Sequence, residues 1–308
     1  MKLRLPDLYS AAAHIDPGTE ICLNAAFTWA NDTWFAKAGD LCFTDQIILR
    51  SRDTTGTACD LPLQNSVSGL IKTMEPTITH AVTENECIKN KIDEINIEPI
   101  TWDFANKPTR QWYNTGLLEG KAIPSGQDPL TFILHGTKDG KEFSFGTCTI
   151  RSTMSAEDSE SVTKLTATFE LNDTVEEYPR AGLTFLIPED FENIQWYGRG
   201  PHENYSDRDF AALKGLHSNS IKDMGVPYIV PQENGLRTGT TFISLTGSGK
   251  RIQLRSRNEF SFSILAYSTQ QLLKGKHSWQ LEPCPDGFWY LTIDAAHRGV
   301  GTGACGPD

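Results

Sequence analysis

No stretch of the 308-residue chain approaches 18 consecutive apolar residues, so no membrane-spanning helix is expected. No secretory leader is expected either: in "MKLRLPDLYSAAAHIDPG", Pro6 and Asp7 stand where a signal peptide needs an unbroken apolar core. Positive charge is scarce. Lys and Arg number 28 against 39 Asp and Glu, for a net charge of −11, and without any Lys/Arg run the chain is ill suited to nucleic acid or another polyanion. The seven cysteines are odd in number and never spaced C-x-x-C, which argues against a disulfide framework and a zinc site and fits free thiols in the cytoplasm. None of the seven histidines has the spacing of a metal pair, so no metal is expected here. The segment "GVGTG" opens no helix, and G-x-x-x-x-G-K-[ST] does not occur, which removes the phosphate cradles. Amphipathic helical windows are few, "QLLKGK" near 271 being a short exception.

What is present alternates with period two. Leu165, Ala167, Phe169 and Leu171 share one face of a strand, and Phe260, Phe262, Ile264 and Ala266 share one face of another, both read as half-buried. Ile243 and Leu245, the turn "TGSG", and Ile252 with Leu254 predict a hairpin, because glycine supplies the positive φ of a tight turn. "NIQWYG" and "FWYLTID" add aromatic strands. Residues 1–60 read as a separate unit, with "ICLNAAFTWA" and "DQIILRS" as strands around "NDTWFAKAGD". A polar, Thr-rich stretch over 52–66 is the expected boundary, and residues 67–308 read as one large antiparallel sandwich. The first unit has too few strands to close a sandwich alone, and "GTGACGPD" supplies no closing strand.

Chemistry concentrates in residues 196–210, "WYGRGPHENYSDRDF". Trp196, Tyr197 and Tyr205 beside His202 and Glu203 suit a sugar, whose C–H faces stack on rings while its hydroxyls need polar partners. Trp196 and Tyr197 are adjacent strand positions, so one faces the core and the other outward. Glu203 in "GPHENY" and Glu233 in "PQENG" are the first candidates for the pair of carboxyls, about 5 Å apart, that a retaining glycosidase uses. The competing reading has each glutamate accepting backbone N–H groups in its own Gly/Pro-rich loop.

The runs "WYGRGPHENYSDRDFAA", "MGVPYIVPQENGLRTGT" and "LTIDAAHRGVGTGACGPD" resemble the C-terminal domain of the large multi-domain β-galactosidases, in the glycoside hydrolase family of the bacterial lactose-cleaving enzymes. "NDTWFAKAGDLCFTDQIIL" is similar to the second half of the sandwich before it. The resemblance implies an all-β chain: part of an immunoglobulin-like β-sandwich over 1–60, then a galactose mutarotase-like supersandwich over 67–308, truncated at its C-terminal end. It implies hydrolysis of terminal non-reducing β-D-galactose from β-D-galactosides such as lactose, with retention.

Both catalytic glutamates of that family lie in a (β/α)₈ barrel that this sequence lacks, so the resemblance withdraws Glu203 and Glu233 from catalysis. Magnesium and sodium are likewise expected in the barrel and not in this chain. It implies supporting roles at the active-site rim for His202, Glu203, Asp207 and Arg208, and for Cys305, nearest the position where several members carry a Trp in G-x-G-G-D-D-S-W. The implied partners are a barrel-bearing chain or missing N-terminal domains, in an oligomer. The family's W-R-A-P-x-D-N-D segment is absent: "NIEPITWDFANKPTRQWYNTGL" keeps only its flanks, which leaves strand pairing there open. A stand-alone sugar-binding sandwich and a mutarotase-like epimerase, with His202 and a glutamate as acid and base, are the alternatives.

Overall fold

A computed structural model describes residues 19–50, 74–79, 107–125, 128–157 and 160–299. The chain divides into two compact units, Met1–Thr57 and Ala58–Asp308. The stretch over 52–66 lies outside the described residues.

In the first unit β1 (Ile21–Thr28) and β2 (Leu41–Arg50) pair antiparallel. The second strand begins earlier than "DQIILRS" suggests, because Phe43 pairs with Phe27 and the rings stack with centroids 4.3 Å apart. Between the strands, Asp32 accepts from the Ala38 N–H at 2.9 Å and Asp40 from the Lys37 N–H at 2.7 Å, so "NDTWFAKAGD" is a loop closed on its own carboxylates.

Among its described residues the second unit holds two antiparallel sheets. The smaller has the order β4 (Lys121–Ser125), β5 (Asp128–Lys138), β6 (Lys141–Glu157) and β7 (Glu160–Leu171). The larger runs β10 (Leu213–Ser220), β9 (Asn193–Gly200), β11 (Arg237–Gly247), β12 (Lys250–Leu265), β13 (Phe288–His297), β8 (Arg180–Pro188) and β3 (Glu75–Thr77). Side chains of both sheets meet in one core, with Phe145 and Leu165 from the smaller sheet and Phe185, Trp196 and Phe262 from the larger. Each such side chain contributes about 1.5–3 kcal/mol by leaving water. An all-β antiparallel sandwich is the result.

The strand phases read from the sequence are found here. Leu165 is buried, and Ala167, Phe169 and Leu171 pack on the same core. Ile243 pairs with Leu254 and Leu245 with Ile252 across a turn in which Ser248 and Gly249 have φ of 48° and 72°. The stretch Phe260–Leu265 departs from the half-buried expectation. Ser263 and Leu265, on the face away from the core, are buried as well, Leu265 in a small cluster with Leu272, Tyr267 and Leu281.

Among the described residues, two short α-helices accompany these sheets. In α2 (Thr269–Lys274), the exception noted above, Ser268 Oγ accepts from the Gln271 N–H while Gln271 Oε1 accepts from the Ser268 N–H, a capping box. Within "NIEPITWDFANKPTRQWYNTGL", residues 107–114 form a helix, α1 (Lys107–Asn114), and not a strand. Pro108 sits in its first turn, where no helical N–H is needed. Trp112, 1% exposed, points its Nε1–H at the Glu177 carbonyl over 2.7 Å.

Candidate functional site

Strand β9 carries the dense motif into place. Its burial alternates, so Trp196 is the core member of the adjacent pair and Tyr197 is half-buried on the other face. The Trp196 Nε1–H donates to the Arg199 carbonyl at 3.1 Å, and a cis Gly200–Pro201 bond follows.

Asn204 then fastens "GPHENY" to "PQENGLRT". Wholly buried, it accepts from the N–H and hydroxyl of Thr238 at 3.0 and 2.7 Å, and its own N–H donates to the Leu236 carbonyl at 2.8 Å. Arg237 reaches back with bonds to the carbonyls of Pro201, Met224 and Gly235. Burial pulls its guanidinium down to about 10.

Of the rim candidates, Glu203 and Arg208 meet: the guanidinium donates at 2.7 Å, and the same carboxylate accepts from the Tyr228 hydroxyl and, at 2.8 Å, the Gly235 N–H. His202 is exposed one residue earlier. Asp207 is exposed, with its carboxylate against Gly299, and Ser206 Oγ donates to the Arg298 carbonyl at 3.1 Å. The loop is thereby seated on the end of β13. Phe210 stands 92% exposed at its far side. Cys305 lies outside the described residues.

Glu233 belongs to a second constellation. Its carboxylate faces the Arg180 guanidinium at 3.2 and 3.4 Å, and Arg180 also donates to Asp294 at 2.9 Å. His297 Nε2 is 3.8 Å from Glu233, and the Tyr205 ring lies 5.6 Å from that imidazole. Arg180, Glu233 and Asp294 are 2%, 5% and 0% exposed. Burial raises the Asp294 carboxyl against the pull of Arg180 and His297. Burial opposes the charge on Arg180, and the two carboxylates more than offset it. Burial, then the charges of Glu233 and Glu203, push the Tyr205 phenol well up, which puts both glutamates within electrostatic reach of one ring. Each glutamate nevertheless has its own cation, Arg208 for Glu203 and Arg180 for Glu233.

Arg180 and Asp294 were missed from the sequence. Asp294 had one local signal, a carboxylate inside the apolar strand "FWYLTIDAAH". Arg180 begins β8 and had none.

No group of three or more His, Cys, Asp or Glu that could hold a metal ion occurs among the described residues. No helix among them is long and apolar enough to cross a membrane. Fold and site define an all-β sandwich protein whose two glutamate-bearing loops are held by ion pairs. The family described as β-galactosidase small chain matches residues 53–308, and the chain belongs to it.

A β-galactosidase of Lactococcus lactis is 31% identical over 243 residues, covering 75% of this chain and 22% of that protein. Those of Staphylococcus xylosus and Vibrio cholerae are 37% and 41% identical over 130 and 123 residues, 42% and 40% of this chain and 13% and 11% of theirs. The chain thus spans about a fifth or less of the length of these relatives.

Proposed function

We propose that this polypeptide is the C-terminal part, or the small subunit, of a β-galactosidase that releases terminal non-reducing β-D-galactose from substrates such as lactose. Its larger sandwich is of the mutarotase-like supersandwich type, and it shapes the rim of the pocket. The two carboxyls that break the bond, with retention, belong to a (β/α)₈ barrel on other residues, and so do magnesium and sodium. The enzyme works in the cytoplasm as an oligomer.

The observation that carries this reading is the commitment of the loop glutamates. A nucleophile must be free to attack, and an acid/base must exchange a proton with solvent or substrate. Glu203 is occupied by three donors, and Glu233 is buried in a two-point pair with Arg180. Both are suited to holding loops. Asp207 and Arg208 then present polar groups, and Phe210 an exposed ring, at the mouth of a site completed by the partner.

Kinetics of the assembled enzyme test this. With the barrel-bearing chain present, Arg208→Ala should raise KM for a chromogenic galactoside about threefold to thirtyfold while kcat changes by less than about threefold. An unchanged KM, or a kcat lowered by more than about a thousandfold, contradicts the rim role.

A further inference from the structure

The face of the larger sheet that points away from the core has an order of its own. Register sets Glu75, Thr184, Thr292 and Ser263 in one row across four strands. The row beside it is Leu186, Tyr290 and Leu265; on the other side come Gly182 and Asp294, with Arg180 beyond. Alternate residues Leu183, Phe185 and Leu291 point into the core, so these rows face away from it.

A cavity of about 800 Å³ opens over this face. Its lining runs from the buried charges of Arg180 and Glu233, through Thr184 and Thr292, to Leu186 and Tyr290, with Asp286 in electrostatic reach of the tyrosine. The threonines are already wired together: Thr77 and Thr184 hydroxyls lie 2.6 Å apart, and Thr184 and Thr292 hydroxyls 3.0 Å. Each hydroxyl retains acceptor capacity beyond those bonds. Arg180, 2% exposed and lining the cavity, has a buried Nε–H with no partner among the described residues.

The charged lining residues balance, with Glu75, Glu233 and Asp286 against Lys121, Arg180 and Lys274. The lining therefore carries no net charge to attract an ion of either sign. A neutral molecule with hydroxyls on one side and C–H surface on the other matches the graded rows.

We infer that this cavity is a saccharide-binding site, distinct from the rim loop and formed wholly by this chain. It is large enough for a monosaccharide, with one or two sugar hydroxyls bonded to Thr184 and Thr292 and the ring's apolar face against Leu186 and Tyr290. The inference does not depend on the rim role, since it concerns binding and not turnover.

Calorimetric titration of the full 308-residue chain with galactose, lactose and inorganic phosphate tests it. Saturable binding of at least one sugar, with a dissociation constant on the order of 1 mM, and none of phosphate, is the expected result. Leu186→Arg, which fills the apolar end, and Thr184→Val, which removes the central hydroxyl, should each weaken sugar binding at least tenfold in chains whose circular dichroism matches the parent. Should either variant fail to fold, Thr77→Val disturbs the same hydroxyl chain from its edge and should weaken binding several-fold. A folded parent chain that binds neither sugar overturns the inference, as does sugar binding indifferent to the folded variants, or tighter binding of phosphate.

Discussion

Gly299 rests on the carboxylate of Asp207 so closely that a methyl group in place of its hydrogen would stand 2.6 Å from the aspartate Cγ. Its φ of +103° is also one that residues with a Cβ rarely adopt. The two elements proposed to border the pocket, the loop after "GPHENY" and the segment following β13, therefore touch at a point with no spare room. Gly299→Ala should destabilise this seat by about 1–3 kcal/mol. Hydrogen exchange in residues 203–210 should speed up, and adding Asp207→Gly should restore part of the protection, since it removes the collision but not the φ cost. Unchanged exchange in Gly299→Ala contradicts a shared seat.

Arg180 should be among the least replaceable side chains. Removing it leaves Glu233 and Asp294 buried without their cation, a loss of about 3–5 kcal/mol for a broken buried pair. Arg180→Lys should recover little of this, because one ammonium cannot serve two carboxylates through a planar fork. Urea denaturation of Arg180→Met and Arg180→Lys reports both values; a midpoint within experimental error of the parent refutes the assignment.

Trp112 tests α1. Trp112→Phe keeps an aromatic ring but abandons the Glu177 carbonyl and some volume, which should cost about 1–3 kcal/mol. Thermal unfolding that does not shift would place the indole elsewhere.

Alkaline pH should weaken the fold through Cys148, which is 0% exposed and whose thiol burial pushes up to about 12 from an ordinary value near 9. Well below pH 9 the thiol is protonated in both states and contributes no slope. Between 9 and 12 the unfolded chain releases that proton while the folded chain holds it, so stability falls as pH rises. The stability difference between the parent and Cys148→Ala should be flat below pH 9 and decline above it; a flat difference throughout contradicts a buried thiol.

Much of the sandwich was legible because its strands obey the period of the pleat. The β11–β12 hairpin combined in-phase apolar pairs with turn glycines, and the face carrying Leu165 and Phe169 was readable directly. Helix α1 was not: eight residues with a proline near the start give too little period to count. The cluster of Arg180, Glu233 and Asp294 was hidden for another reason. Its members lie far apart in the chain and are gathered by cross-strand register and a covering loop, which no local pattern encodes. Glu203 and Glu233 were visible as candidates from their loops, but their partners Arg208 and Arg180 became visible only in three dimensions.

The accessory role is tested most directly by assaying the purified 308-residue chain alone with a chromogenic β-galactoside, then adding a barrel-bearing partner. The account predicts no turnover from the chain by itself and activity on reconstitution. Hydrolysis by the isolated chain that disappears in Glu203→Gln or Glu233→Gln would contradict it.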